Sequence, residues 1–125
     1  MPRTPRKLLN TLYFHVMTKG YEDRNIYLKD EDKEKLLNLY GKQENIKILS
    51  YCIMSNHSHL LLKTPSNKEL SRAMARINQA YSYYYKKKYG YAGNVFKDRF
   101  KSVPVMNEKQ IFENVRYIQN NPIDA

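Results

Sequence analysis

Tyr51-Cys-Ile-Met-Ser-Asn-His-Ser-His-Leu-Leu-Leu62 is the stretch on which the fold turns. Two apolar runs, Ile46 to Met54 and His57 to Lys63, are parted by Ser55-Asn56. A two-residue break of this kind closes a tight antiparallel hairpin, with Asn accepting the positive φ that such turns demand. Side chains alternate along a strand, so His57 and His59 share one face while Ser58 turns to the other. Neutral imidazoles bind divalent ions through one ring nitrogen, and a pair at i and i+2 converges on a single point. Taken alone, His-x-His is a weak signal, because most such pairs are packed or solvated histidines. Here the pair opens a strand straight after a turn, near the end of the sheet, where a ligand can reach it. Two donors fall short of the four that close a structural zinc site. They suit a loosely held Mg²⁺ or Mn²⁺ whose shell is completed by a substrate phosphate.

The flanking segments extend this hairpin into a complete plait. Leu12 to Thr18 reads as a first strand, ended by Gly20. Asp30 is expected to N-cap a helix carrying Leu36, Leu37 and Tyr40 on one side, with Gly41 as its terminator. Ser66 with Glu69 forms a capping-box pattern after Pro65 and opens a long helix striped by Leu70, Met74, Ile77, Tyr81 and Tyr84. Glycines in the stretch Lys86 to Gly93 break that helix. Ser102 to Met106 is a short fourth strand, and Pro104 argues for an edge position. Asn107, with Gln110 at the third helical position, caps a last helix that runs toward Asn120, where Pro122 disfavours further α conformation. The fold expected is α+β: one domain over residues 1–125, a ferredoxin-like β-α-β-β-α-β plait with an antiparallel sheet and an added C-terminal helix. That architecture hosts many functions and decides none.

Composition narrows the choice. Lys and Arg number 22 against 12 acidic residues, a formal charge of +10, which favours polyanionic partners. Twelve tyrosines and no tryptophan interleave aromatic faces with cations, a mixture able to stack bases. A single cysteine, Cys52, rules out an internal disulfide framework and suits a reducing compartment. No apolar run has signal-peptide or membrane-spanning length, so a cytoplasmic location without membrane partners is expected. None of the four glycines lies in a P-loop or dinucleotide-binding pattern.

The last helix holds a second set of reactive groups. At about 100° per residue, Ile111, Val115 and Ile118 share one face, and Gln110, Asn114, Tyr117 and Asn121 share an adjacent stripe. A phenol at Tyr117 can serve as a nucleophile, and the Asn121 amide oxygen, one turn on, can complete a metal shell or orient a phosphate. The residues alone favour the plainer reading, Tyr117 as a core-edge aromatic and Asn121 as a helix C-cap before proline.

Three blocks taken together carry a resemblance. Tyr51 to Leu62, Gly93-Asn-Val-Phe-Lys-Asp-Arg-Phe-Lys-Ser102 and Arg116-Tyr-Ile-Gln-Asn-Asn-Pro122 are similar to the signature blocks of the HUH single-tyrosine transposases, in particular the REP-associated tyrosine transposase branch. The opening Tyr13-Phe-His-Val-Met-Thr-Lys-Gly20, followed by Asn25-Ile-Tyr27, resembles that family as well. The resemblance implies that His57 and His59 hold the metal, that Tyr117 is the nucleophile, and that Asn121 is the polar residue one turn on. It further implies metal-dependent cleavage and rejoining of single-stranded DNA beside hairpins, through a 5′-phosphotyrosine link. The resemblance is compatible with a monomer or with a homodimer that shares active sites.

For phosphate contact the candidates are Lys19, Arg24, Lys97, Arg99 and Lys101, because Phe96 to Lys101 alternates aromatic and cationic groups in an extended segment. His15 lies on the strand expected beside the histidine pair; its face is left open by the pattern, and a structural role is assigned to it. Two other readings stand beside the enzyme: a domesticated binder of structured DNA without turnover, and a ferredoxin-like RNA-binding module using the open sheet face.

Overall fold

The computed structural model describes residues 12–97, 100–105, 107, 110, 113 and 116. The elements are β1 (Leu12–Lys19), a helical turn (Tyr21–Asp23), α1 (Asp30–Gly41), β2 (Lys47–Ile53), β3 (His57–Thr64), α2 (Asn67–Tyr89) and β4 (Lys101–Val105). The four strands form one sheet in the order β2-β3-β1-β4. Every pairing is antiparallel. The expected plait is therefore present, and β4 with Pro104 lies on an edge, where a missing N–H is best tolerated. Gln110, Glu113 and Arg116 are helical, and Asn107 Oδ1 accepts from the Gln110 backbone N–H at 2.9 Å, which is the cap expected for the added helix.

One face of the sheet packs on both helices. Phe14, Val16, Leu60 and Leu62 meet Leu36 and Tyr40 of α1 and Leu70, Met74, Ile77, Tyr81 and Tyr85 of α2 in a single core. Leu60 and Leu62 are fully buried, each contributing about 1.5–3 kcal/mol of apolar burial. Tyr84 lies at the rim of this core and Tyr85 inside it, because the buried stripe drifts around so long a helix. Ser66 caps α2 as expected, its hydroxyl accepting from Glu69 N at 3.1 Å. Gly90 ends the helix in the left-handed region at φ 63°, a conformation that a Cβ would strain.

Two local expectations are corrected. The cap position of α1 is Lys29, not Asp30; the capping carboxylate is Asp32, whose Oδ2 accepts from Leu28 N and Lys29 N at 3.1 and 3.0 Å. The Ser55-Asn56 turn contains no positive φ, since among the described non-glycine residues only Glu22 (51°) and Asp23 (61°) have one. The hairpin tip is held by long-range backbone bonds instead. Ser55 O accepts from Ile26 N and Tyr27 N at 2.8 and 2.9 Å, and Asn56 O accepts from Gly20 N at 2.8 Å. The 25–27 segment is in turn tied to α2, where Tyr81 donates to Ile26 O and Tyr85 to Asn25 O. Helix, loop and hairpin thus form one brace that ends at His57.

Candidate active site

Antiparallel partners directly opposite one another point to the same face. Lys19 faces His57, Met17 faces His59, and His15 faces Leu61; on the other side Lys101 faces Met17. The face away from the helices therefore carries His15, His57 and His59 with Lys19 and Lys101, all toward one end of the sheet. Ser58 points the other way, fully buried, its hydroxyl 2.6 Å from that of Thr18. The alternation read from the sequence holds for all three residues of the motif. His15, whose face the pattern left open, is the third imidazole of the cluster.

The rings are close. His57 and His59 have centroids 5.0 Å apart in an edge-on arrangement. His57 Nδ1 lies 2.7 Å from Asn56 Oδ1, and His59 Nδ1 lies 3.1 Å from His15 Nε2. In both metal-candidate rings Nδ1 is engaged in a hydrogen bond, so Nε2 is the nitrogen suited to donate to a cation. Burial, then repulsion from His15 and His57, pushes the His59 pKa down to about 4. His57 is lowered by burial and then by Lys19. Both shifts favour the uncharged ring at neutral pH. The donor chemistry fits a divalent ion. Among the described residues no three His, Cys, Asp or Glu side chains are arranged to hold one; the pair by itself would supply two donors. The expected partner, Asn121, and the expected nucleophile, Tyr117, lie outside the described residues, as does Arg99.

The cations divide. Lys19, Lys97 and Lys101 are exposed; Lys19 lies opposite His57, Lys97 N is bonded to Lys19 O at 2.8 Å, and Lys19 also pairs with Asp23 at 2.7 Å. Arg24 is engaged elsewhere: its guanidinium lies 3.9 Å over the Tyr91 ring, and its pKa is raised first by a hydrogen bond with Tyr85. Further positive charge lines a groove of about 730 Å³ on the helical side, between Lys35 of α1 and Arg76, Tyr83 and Lys87 of α2. Sequence reasoning did not find that groove, since its cations come from two separate helices.

A four-stranded antiparallel sheet with helices on one face and paired imidazoles on the other defines the class: an α+β protein with a histidine cluster on its open sheet face. The IS200-like transposase family matches residues 9–121, nearly the whole chain, and the chain belongs to that family. Solved structures share the fold. A REP-associated tyrosine transposase bound to a REP hairpin aligns with a TM-score of 0.66 at 18% identity, over 92% of this chain and 67% of that one. A protein from Deinococcus radiodurans R1, solved as a candidate transposase, aligns with a TM-score of 0.65 at 14% identity, over 95% of this chain and 97% of that one. No curated protein matches the chain. Among the described residues no helix is long and apolar enough to cross a membrane.

Proposed function

We propose that this chain cuts and rejoins single-stranded DNA, with Tyr117 as nucleophile and with His57, His59 and Asn121 as the residues that hold Mg²⁺ or Mn²⁺. The observation that carries the reading is the pair of imidazoles, each with Nδ1 engaged, at the end of the sheet where Lys19 and Lys101 emerge, in a chain of transposase family. The bound ion would act as a Lewis acid toward the phosphate and offset charge on the leaving oxygen. The chain's own groups supply the rest. Lys19, Lys97, Arg99 and Lys101 draw in and orient the DNA backbone. The Tyr117 phenol gives up its proton and its oxygen bonds to phosphorus; the bond to the 3′ oxygen breaks, and that oxygen takes a proton to become a free hydroxyl. The product is a 5′-phosphotyrosine, which an incoming 3′-hydroxyl reverses. The sequence blocks favour the REP-associated branch, and a hairpin beside the cleaved strand is the proposed DNA partner, with the protein in the cytoplasm as a monomer or a homodimer.

Labelled single-stranded DNA from the flanks of its own gene, incubated with Mn²⁺, should yield a protein-linked product that survives denaturing electrophoresis. Tyr117→Phe should abolish the adduct. Replacing His57 and His59 by Ala should slow cleavage by roughly 10²–10³, the usual loss when one preorganised charge stabiliser is removed. Cleavage unaltered in Tyr117→Phe would overturn the nucleophile. Hairpin binding with no adduct under any metal would identify a domesticated binder, and equal affinity for RNA and DNA with no histidine dependence would identify an RNA-binding module.

A further inference from the structure

His15 has no part in the chemistry above, yet it touches it. The residue lies one diagonal step from His59 across the β1–β3 pairing, with ring centroids 5.3 Å apart and its Nε2 3.1 Å from His59 Nδ1. When two neutral imidazoles meet nitrogen to nitrogen, one N–H donates and the other lone pair accepts. If His15 Nε2 donates, the His59 proton sits on Nε2 and that nitrogen has no lone pair for a cation. If His59 Nδ1 donates, Nε2 carries the lone pair. His57 shows which arrangement the site uses on the same strand: Asn56 Oδ1, 2.7 Å away, is a carbonyl oxygen and only accepts, so His57 bears its proton on Nδ1.

We propose that His15 is a positioning residue: it accepts the Nδ1 proton of His59 and so holds that ring in the tautomer, and at the tilt, whose Nε2 binds a divalent cation. The inference rests on the metal-binding reading of the histidine pair. His15 is not a third ligand in this arrangement, because the nitrogen it turns toward the cluster is the one that meets His59. Ligating histidines are commonly oriented by a carboxylate or carbonyl, and a carboxylate also adds negative charge behind the ring. An imidazole in that place orients without adding charge, which keeps the ion loosely held and dependent on the substrate phosphate to complete its shell.

Long-range ¹H–¹⁵N correlation spectra of the metal-free protein at neutral pH read the tautomer directly. His59 should carry its proton on Nδ1, and the Nε2–H form should gain population in His15→Phe. Mn²⁺ affinity, measured by calorimetry, should fall about 10–100-fold in His15→Phe and return to within about threefold of the original in His15→Gln, whose Oε1 can accept the same proton. His59 found with its proton on Nε2 in the unmodified protein overturns the proposal, and this readout needs no variant to fold. Unchanged Mn²⁺ affinity in a folded His15→Phe overturns it as well. If the unmodified protein binds Mn²⁺ no better than the variant lacking His57 and His59, the metal reading itself has failed and His15 with it; intact Mn²⁺ binding with the wrong tautomer sinks only the role of His15.

Discussion

Asp32 on the helical side and His59 on the open face are both almost wholly buried, at 0% and 6% exposure, and their surroundings meet that burial in opposite ways. Asp32 is saturated. Its Oδ2 takes the Leu28 and Lys29 backbone N–H groups and the Tyr89 hydroxyl, and its Oδ1 takes the Tyr84 hydroxyl and Lys88 Nζ, each at 2.7 Å. Burial raises its pKa, but the bonds from Lys88, Tyr89, Tyr84 and Lys29 outweigh burial and hold it near 2. His59 instead faces two more imidazoles, and burial together with those rings keeps it uncharged. The first cluster brings its own countercharge and locks α1 to α2. The second avoids charge, and on the proposed reading its ring nitrogens take a cation from outside. Polar burial stabilises in one place and, on the proposed reading, prepares binding in the other.

The largest effect that tests this contrast is Asp32→Ala. Removing the carboxylate leaves the Tyr84 and Tyr89 hydroxyls and two backbone N–H groups without their acceptor, while Lys88 keeps its pairing with Glu31, and urea denaturation should register a loss of about 3 kcal/mol. His59→Ala should cost only about 1 kcal/mol, an ordinary point change, while removing Mn²⁺ binding. Equal losses would erase the distinction between the clusters.

Acid should next separate the two in pH. The His59 pKa is lowered on folding, from an ordinary 6.5 to about 4. The unfolded chain therefore binds more protons in that window, and stability is fully present above pH 6.5 and drains away as pH falls toward 4, by up to about 3 kcal/mol. Asp32 is also lowered, from 3.8 to about 2, so its contribution is lost only at pH values below that range. Melting temperatures recorded across pH should show the first decline in the unmodified protein and a shallower one in His59→Gln. A decline of the same slope in the variant would assign acid sensitivity to other groups.

Gly20→Ala is the finest probe, because it asks whether the brace reaches the site. A Cβ there would meet Arg24 O at 2.1 Å, a backbone clash that should cost about 1–3 kcal/mol. Gly20 N also holds the hairpin tip through Asn56 O, so Mn²⁺ affinity should drop along with the melting temperature. A lower melting temperature with unchanged affinity would uncouple the turn from the histidines.

Much of this was legible in the chain. Strict alternation put His57 and His59 on one face and Ser58 on the other, because a strand's period leaves no freedom once its ends are known. The Ser66 cap followed from local hydrogen-bond chemistry, and the edge position of β4 from the missing proline N–H. Elsewhere the local signal pointed to a neighbour of the right residue. Asp30 has the composition of an N-cap, but Asp32 does the capping, because only its carboxylate also meets Lys88, Tyr84 and Tyr89 from a helix more than fifty positions away. Asn56 resembles a turn residue of positive φ, yet bonds from the 20–27 segment fix the tip and make that conformation unnecessary.

By itself, then, the sequence determined the order of elements, the paired imidazoles and the family, since each depends on short-range periodicity or on residues that stand together. Only the tertiary structure decided that His15 joins the pair, that Arg24 stacks on Tyr91, and that Asp32 is the hub of the helices. Those contacts join residues distant along the chain, and their strength comes from packing and desolvation that no local pattern encodes.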